Sequence, residues 1–332
     1  MPRLMSYNIE WFDDHFEPDN SLKTNVEAVK KFDAVAGVLA ALDPDLIGIT
    51  EGPNTTTTTG QRSTVAALEN LAAAKGLRQS RALMGFPSAG RQEIALLYDP
   101  AVLTAAHDPG GVPGANKNPP FSERFQIDSD GDGIKELYKH YRPPLEARIS
   151  RSDGGADFWL MVVHAKSKGI FNAMDRVHFE RTSERNRRKL FAECSSIRRR
   201  VDEWLDADRP CVVMGDINDG PGFDYYEGRF GRSAVELIMG DLFDPDRILR
   251  NRVGAPSFGR YGWEPSTARF RDTFTGDHVN ALIDHIMASR HLAPAPGDAA
   301  LVWNPFQLDA AKPLKSLLLD ASDHFPVTLD LA

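Results

Sequence analysis

Two cysteines in 332 residues, Cys194 and Cys211, are too few for a disulfide framework, and their spacing fits no metal site. Cys194 falls in a helical pattern and Cys211 opens an apolar strand, so both are expected as core thiols. No apolar run approaches the ~18–20 residues that a membrane span needs. No positive region, apolar stretch and small-residue cleavage site precede the strand-like run that begins at Arg3, so a cytoplasmic location is expected. Positive charge is also short: 39 Lys and Arg stand against 47 Asp and Glu, a net charge of −8. That balance argues against a protein that coats nucleic acid non-specifically. It leaves room for an enzyme with a local basic groove and a metal ion. Neither a short fixed-period repeat nor a linker divides the chain, so one domain over 1–332 is expected.

What is present is a series of short apolar runs. The pattern predicts strands over Leu4–Ile9, Leu46–Thr50, Glu93–Tyr98, Val102–Ala106, Leu145–Ser150, Phe158–His164, Cys211–Gly215, Leu282–Ala288 and Phe325–Leu331. Helical spacing covers Asn25–Leu42 with Thr24 as cap, Ser63–Lys75 with Gly76 closing it, and about Asp175 to Leu205. Residues 107–135 and 241–275 are expected to be irregular. This order fits two sheets with helices outside them, and neither an all-β fold nor a strict βα repeat.

The runs end on residues able to do chemistry. Asn8 lies in the first, Glu51 closes the second, and His164 ends Phe158–His164. Asp216 follows Cys211–Gly215 with Asn218 two residues on, Asp284 follows Leu282-Ile283, and Asp323-His324 opens the last strand. Each alone has a plain reading: Asn and Asp as turn or cap residues, His as a surface or structural group. Six strand ends together point instead to one shared edge. The oxygen-rich set suits a hard cation such as Mg²⁺, with Glu51, Asp323 and the amide oxygen of Asn8 as ligands. The histidines lack zinc-site spacing. Two imidazoles beside a metal and an acid suggest phosphoryl chemistry, in which a carboxylate activates water and imidazolium groups meet the developing charge.

The segments SYNIEWF (6–12), DLIGITEGPN (45–54), QEIALLY (92–98), RPPLEARI (142–149), VVHAKSKG (162–169), VVMGDINDGPG (212–222), LIDHIMAS (282–289) and SDHFPV (322–327) follow one another along nearly the whole chain. In this order they resemble the endonuclease/exonuclease/phosphatase superfamily, with the HAKSKG stretch similar to its bacterial predicted nucleases. Ala165 stands where that subgroup often has an aromatic, and Gly52-Pro53 follows Glu51 where an apolar residue is common. The resemblance implies an α+β, DNase I-like fold: a four-layer α/β/β/α sandwich of two mixed β-sheets flanked by helices. It implies a phosphoric ester hydrolase using Mg²⁺ or Mn²⁺, foremost a nuclease cutting DNA or RNA phosphodiesters. A phosphatase, a sphingomyelinase-like phospholipid diesterase and an inactive metal-binding scaffold remain as alternatives.

The resemblance also implies roles. Glu51 would be the main metal ligand, with Asn8 and Asp323. Asp216 would orient or deprotonate the attacking water, and Asn218 would hold a phosphate oxygen or a second ion. His164 and His324 would contact the scissile phosphate, with Glu93 behind His164 and Asp284 behind His324. Arg142 would grip phosphate, and Lys166 is a further candidate for it.

Three weaker signals complete the reading. Asp128, Asp130 and Asp132, with Gly133 closing the turn, begin like a calcium loop, but Lys139 stands where the bidentate Glu belongs; structural Ca²⁺ or a plain acidic turn are both open. Residues 174–200 hold nine Lys and Arg against four Asp and Glu, which would steer a polyanion or form a solvated outer face. Trp11, Phe12, Tyr225, Tyr226 and Trp263 would stack on bases or anchor loops.

Overall fold

The computed structural model describes residues 2–56, 61–129, 131–170, 175–222, 224–225, 227–253, 265–272, 275–292 and 300–331, with Arg229 by its backbone alone. The first strands are β1 (Arg3–Asn8), β2 (Leu46–Gly52), β3 (Arg81–Met84), β4 (Glu93–Tyr98), β5 (Leu103–His107), β6 (Arg124–Ile127), β7 (Glu136–Lys139) and β8 (Leu145–Arg151). They continue with β9 (Phe158–His164), β10 (Cys211–Asp216), β11 (Arg250–Asn251), β12 (Ala268–Arg271), β13 (His278–Ala281), β14 (Asp284–Ala288), β15 (Leu301–Val302) and β16 (Val327–Asp330). The helices are α1 (Val26–Leu42), α2 (Thr64–Lys75), α3 (Arg176–Asp206), α4 (Ala234–Met239) and α5 (Lys315–Ala321).

Two six-stranded sheets carry the fold, in the orders β15-β16-β1-β2-β4-β3 and β11-β14-β10-β9-β8-β5. Each is built around one parallel pair, β1 with β2 and β9 with β10, and the other pairings are antiparallel. Parallel neighbours need a crossover, and α1 and α3 supply the two. Side chains alternate between the layers. In β10, Val212 and Met214 enter the core between the sheets, while Cys211 and Val213 pack under α3 and α4. In β1, Leu4 joins that central core and Met5 and Tyr7 pack under α1. Gly48 lets the sheets close together, because a Cβ there would lie 2.5 Å from Met214 Cε.

The helix ends follow local chemistry. The Asn25 side chain accepts from Ala28 N at 2.8 Å, so Asn25 and not the expected Thr24 caps α1. Asp175 caps α3 through His178 N, and Gly76 closes α2 at φ +63. Both cysteines are free and buried, as expected. No helix among the described residues is long and apolar enough to cross a membrane. The stretch 107–135 was expected to be irregular but contains β6, which pairs with β7; 241–275 likewise contains β11 and β12. The last strand starts at Val327 because Pro326 has no N–H for a ladder, and Phe325 N bonds Thr267 O instead, at 2.6 Å.

One buried histidine makes the fold acid-sensitive. His140 sits against the rings of Phe121 and Phe125, each at 5.1 Å, and its Nε2 has no hydrogen-bond partner. Burial, with help from Lys189, lowers its pKa from 6.5 to about 3. The unfolded chain therefore binds the proton first, and stability that is full above pH 6.5 is lost as pH falls towards 3. His140→Leu is expected to retain about 2 kcal/mol more of its stability than the parent when pH drops from about 7.5 to about 5, as read by urea unfolding at the two pH values.

Candidate active site at the shared strand edge

The two parallel pairs place their C-terminal ends at one edge. In the second sheet, Asp216 pairs with His164 on one side and with Asp284 on the other, so three candidate groups form one row. In the first sheet, Asn8 pairs with Thr50, next to Glu51. Asp323 and His324 enter the same edge just before β16, which runs antiparallel to β1.

Backbone distortions aim these groups. Gly215 has φ +131, and a Cβ there would meet Val163 O at 2.0 Å, so only glycine fits before Asp216. A register shift between Ile49 and Gly52 bulges β2, and Glu51 takes φ +57. Glu10, Trp11 and Asn218 also have positive φ, at 37°, 48° and 56°, so four of the seven such non-glycine residues among the described residues are at this edge.

Hydrogen bonds then lock the set. Asn8 Nδ2 donates to Asp216 Oδ2 at 3.1 Å and Glu51 Oε1 at 3.3 Å. Trp11 N donates to the other Glu51 oxygen at 3.0 Å. Asp216 Oδ1 accepts from Asn218 N at 2.8 Å, and Asn218 Nδ2 donates to Ala165 O at 3.1 Å. His164 Nε2 lies 3.6 Å from Asp216 Oδ2 and 3.9 Å from Glu51 Oε1. His324 Nδ1 bonds Asp284 Oδ2 at 2.8 Å, and His324 Nε2 lies 3.8 Å from Asp323 Oδ1.

The electrostatics separate the two imidazoles. Burial, Arg142 and His324 hold His164 well below 6.5, so it is neutral. Burial opposes charge on His324 as well, but Asp284, Asp216 and Asp323 outweigh it and raise the group to about 10. His324 is thus an imidazolium across neutral pH. Burial, reinforced by Asp284, lifts Asp216 to about 7, and burial lifts Asp323 to about 6. Asp216 therefore sits in the range where a carboxylate can take a proton near neutral pH.

Several expected partnerships differ from what the structure holds. The Asn8 amide oxygen accepts from Glu10 N at 2.9 Å, so its nitrogen and not its oxygen faces the carboxylates. Glu93 does not bond His164: its Oε2 accepts from Ser88 N at 2.7 Å, while Glu93 Oε1 and His164 Nδ1 are both buried without a partner. Arg142 spends its fork on the backbone, donating to His164 O at 3.2 Å and Ala165 O at 2.8 Å, and also bonds Gln92. Lys166 Nζ bonds Ser167 O at 3.0 Å, and Lys168 is taken by Asp219 and Glu227. Phe12 is buried against Phe16 and Phe32, so it is core and no base platform. Trp11 and Tyr225 are exposed; Tyr226 and Trp263 lie outside the described residues.

The 128–133 stretch joins β6 to β7 as a hairpin, without flanking helices. Asp128 accepts from Gly131 N and Gly133 N, and Asp132 from Ile134 N, which is the bonding of an acidic turn. Asp130 lies outside the described residues.

Supporting residues that carried no motif signal also emerge. Thr267 Oγ1 accepts from Ile283 N and Asp284 N, at 3.0 and 2.9 Å. Ser322 Oγ donates to Asn8 O and accepts from His324 N, tying the last strand to the first. Glu10 Oε2 accepts from Asp323 N at 3.2 Å, and Lys31 Nζ bonds Glu10 O at 3.1 Å. Thr267 lies 17 positions from Asp284, Lys31 21 from Glu10, Glu10 313 from Asp323 and Ser322 314 from Asn8, so no local pattern could reveal these links.

The donor set fits a hard divalent cation. Glu51, Asp216, Asp284 and Asp323 bring four carboxylates to one edge, and Asp284 Oδ1 is buried without a partner. Among the described His, Cys, Asp and Glu side chains, Asp216, Asp284 and His324 offer ligand atoms all within 4.8 Å of one another. Since His324 Nδ1 already bonds Asp284, that trio reads as an ion pair facing an acid, and a cation would fall to the carboxylate oxygens.

No protein-family model matches the chain, and no curated protein matches it. Solved structures do. Truncated TDP2 from Caenorhabditis elegans superposes with a TM-score of 0.51 at 14% identity, over 98% of this chain and 96% of that one. TDP2 from D. rerio, complexed with single strand DNA product, gives 0.50 at 13% identity, over 98% and 97%. An endonuclease/exonuclease/phosphatase protein from Beutenbergia cavernae DSM 12333 gives 0.50 at 17% identity, over 99% of this chain and 71% of that one. At such identities the likeness is one of fold. With its two mixed sheets and flanking helices, the chain has an α+β, DNase I-like fold, similar to that of the Beutenbergia cavernae endonuclease/exonuclease/phosphatase protein.

Proposed function

We propose that the chain is a divalent-metal-dependent phosphodiesterase whose substrate is nucleic acid. The observation that carries this reading is the opposed pair at the strand edge. Asp216, raised to about 7, is poised to accept a proton, and His324, raised to about 10, is poised to offer positive charge. Nucleic acid is placed first because one similar fold holds a single strand DNA product.

Glu51 and Asp323 would hold Mg²⁺ or Mn²⁺, with Asn8 keeping Glu51 and Asp216 apart and oriented. A bound ion would neutralise a phosphate oxygen and make phosphorus more open to attack. Asp216 takes the proton of the attacking water, and its Oδ1 is held for this by Asn218 N. His324, fixed by Asp284, stabilises the charge that develops on the phosphate or the leaving oxygen. His164, neutral and buried, donates a hydrogen bond from Nε2 to the phosphate side. Arg142 braces the end of β9 through two carbonyls and adds a fixed positive field.

Glu51→Gln is expected to raise the Mg²⁺ concentration for half-maximal rate by about 10–100-fold, with a matching loss of Mn²⁺ affinity in direct titration. The substrate class is tested by incubating the protein with plasmid, single-stranded DNA, RNA, phosphomonoesters and sphingomyelin, with Mg²⁺, Mn²⁺ or EDTA. Divalent-dependent cleavage of a polynucleotide supports the reading. Hydrolysis confined to monoesters or to sphingomyelin overturns its substrate, and no turnover with any ion overturns the enzyme.

A further inference from the structure

Basic side chains from two distant segments line one groove, where the N-terminal half of α3 faces the β6–β7 hairpin. One stretch, 390 Å³ in volume, is lined by Tyr138, Arg181, Glu184, Arg185, Arg188 and Lys189. The adjoining stretch, 480 Å³, shares Tyr138 and Lys189 and adds Arg124, Leu137 and Lys139. In a chain of net charge −8 this is a local reversal of sign.

The acids in the groove are already matched. Glu184 pairs with Arg188 at 3.0 Å, and Glu193 lies 3.8 Å from Lys189. Arg181, Arg185, Arg124 and Lys139 are exposed. Among the described residues none of these four has a carboxylate partner. A helix that merely presented charge to solvent would not need matching cations on a hairpin about 50 residues away in sequence, and the convergence sets this face apart from an ordinary solvated one.

A chain of contacts links the groove to the strand edge: Lys189, which lines it, lies 3.8 Å from Glu193. Glu193 Oε2 accepts from Lys166 N at 2.9 Å, two residues beyond His164. The Lys166 ammonium is pushed down by burial and then by Arg142, and further by Lys189 and Arg185. Cations thus follow one another from Arg142 at the edge to Arg185 in the groove. An aromatic platform is present too: Tyr138 stacks on Phe125 at 6.1 Å and opens on the groove, and exposed Tyr141 lies 5.9 Å from Lys189 Nζ. Cations that track a backbone, with rings for bases, are the elements of a single-strand site.

We propose that this groove binds the sugar-phosphate backbone of a single polynucleotide strand, on the part that extends beyond the bond being cut. The proposal rests on the phosphodiesterase reading above and adds to it where the rest of the strand goes. The cations line a concavity, which suits a strand better than a flat lipid surface.

The test uses two charge-reversal pairs, Arg181→Glu with Arg185→Glu, and Arg124→Glu with Lys139→Glu. Affinity for a fluorescent oligothymidylate of about 20 nucleotides is measured by anisotropy in EDTA across a salt series. In Mg²⁺, kcat/KM is measured for the same strand and for bis(p-nitrophenyl) phosphate. Each pair is expected to weaken strand binding by about tenfold or more and to reduce the salt slope by about 1–2. The ratio of kcat/KM for the strand to that for the small diester should fall by a similar factor. The proposal is overturned if affinity and ratio stay within about twofold of the parent, or if the reversals weaken binding only to phosphatidylserine vesicles. If the parent cleaves neither substrate, the reading of the strand edge fails, and the binding series still decides the groove.

Discussion

His324→Ala is expected to lower phosphodiester turnover by about 10³-fold or more with little change in fold. His324 is the only imidazole at the edge that is charged near neutral pH, because Asp284 bonds its Nδ1 at 2.8 Å. His164 cannot replace it, since burial and neighbouring cations keep that ring neutral. Removing the ring also leaves the Asp284 carboxylate buried without its partner, so this position then offers the phosphate no positive charge. Asp284→Asn keeps the shape and removes the charge, so it should lower turnover by about 10²-fold or more while His324 stays in place. Steady-state rates on an oligonucleotide, with thermal unfolding as a check on the fold, measure both. A His324→Ala protein that is folded and fully active would show that the reacting phosphate sits elsewhere.

Arg200→Ala is expected to cost about 3–5 kcal/mol of stability without touching the strand edge. Arg200 is fully buried in α3, bonds the equally buried Glu146 of β8, and also bonds Glu203 at 2.8 Å and Pro119 O at 3.2 Å. The loop before them is shaped to it: a Cβ at Gly110 would lie 2.3 Å from the guanidinium. Even beside this cation, burial lifts the Glu146 carboxyl from 4.5 to about 7. A raised acid favours the folded state below its unfolded pKa and loses that contribution as pH rises, here between 4.5 and 7. Without Arg200 the carboxyl rises further, so the variant should lose more stability at about pH 8 than at about pH 5. Urea unfolding at the two pH values checks this. An equal loss at both would mean that lost packing, and not the stranded carboxyl, is the main cost.

The central strands were legible in the sequence because they are buried on both faces. Glu93–Tyr98 and Phe158–His164 have the predicted ends, and Cys211–Asp216 runs one residue past them. The groups at strand ends were legible for the same reason: once two parallel pairs are placed, Asn8, Glu51, His164 and Asp216 must share an edge. Short and half-exposed elements were not. In the hairpin β6–β7, buried residues alternate with more open ones in β6 and half-buried with exposed ones in β7, over four positions a strand, within a run of prolines and glycines that hides it. For α4 a signal existed, since Ser233 and Glu236 form a capping box, but its six residues are too few to show a period. The orientation of polar side chains was hidden as well. Which end of the Asn8 amide meets Glu51, and whether Glu93 reaches His164, depend on contacts across the two sheets and not on neighbours in sequence.

The central question is whether this edge cuts a phosphodiester with a divalent ion. The decisive measurement is cleavage of an end-labelled single-stranded oligonucleotide by the parent and by His324→Ala, each in Mg²⁺ and in EDTA. Cleavage is expected from the parent in Mg²⁺ alone, and none from the variant. Cleavage that survives EDTA, or that the variant performs as fast as the parent, would contradict this expectation.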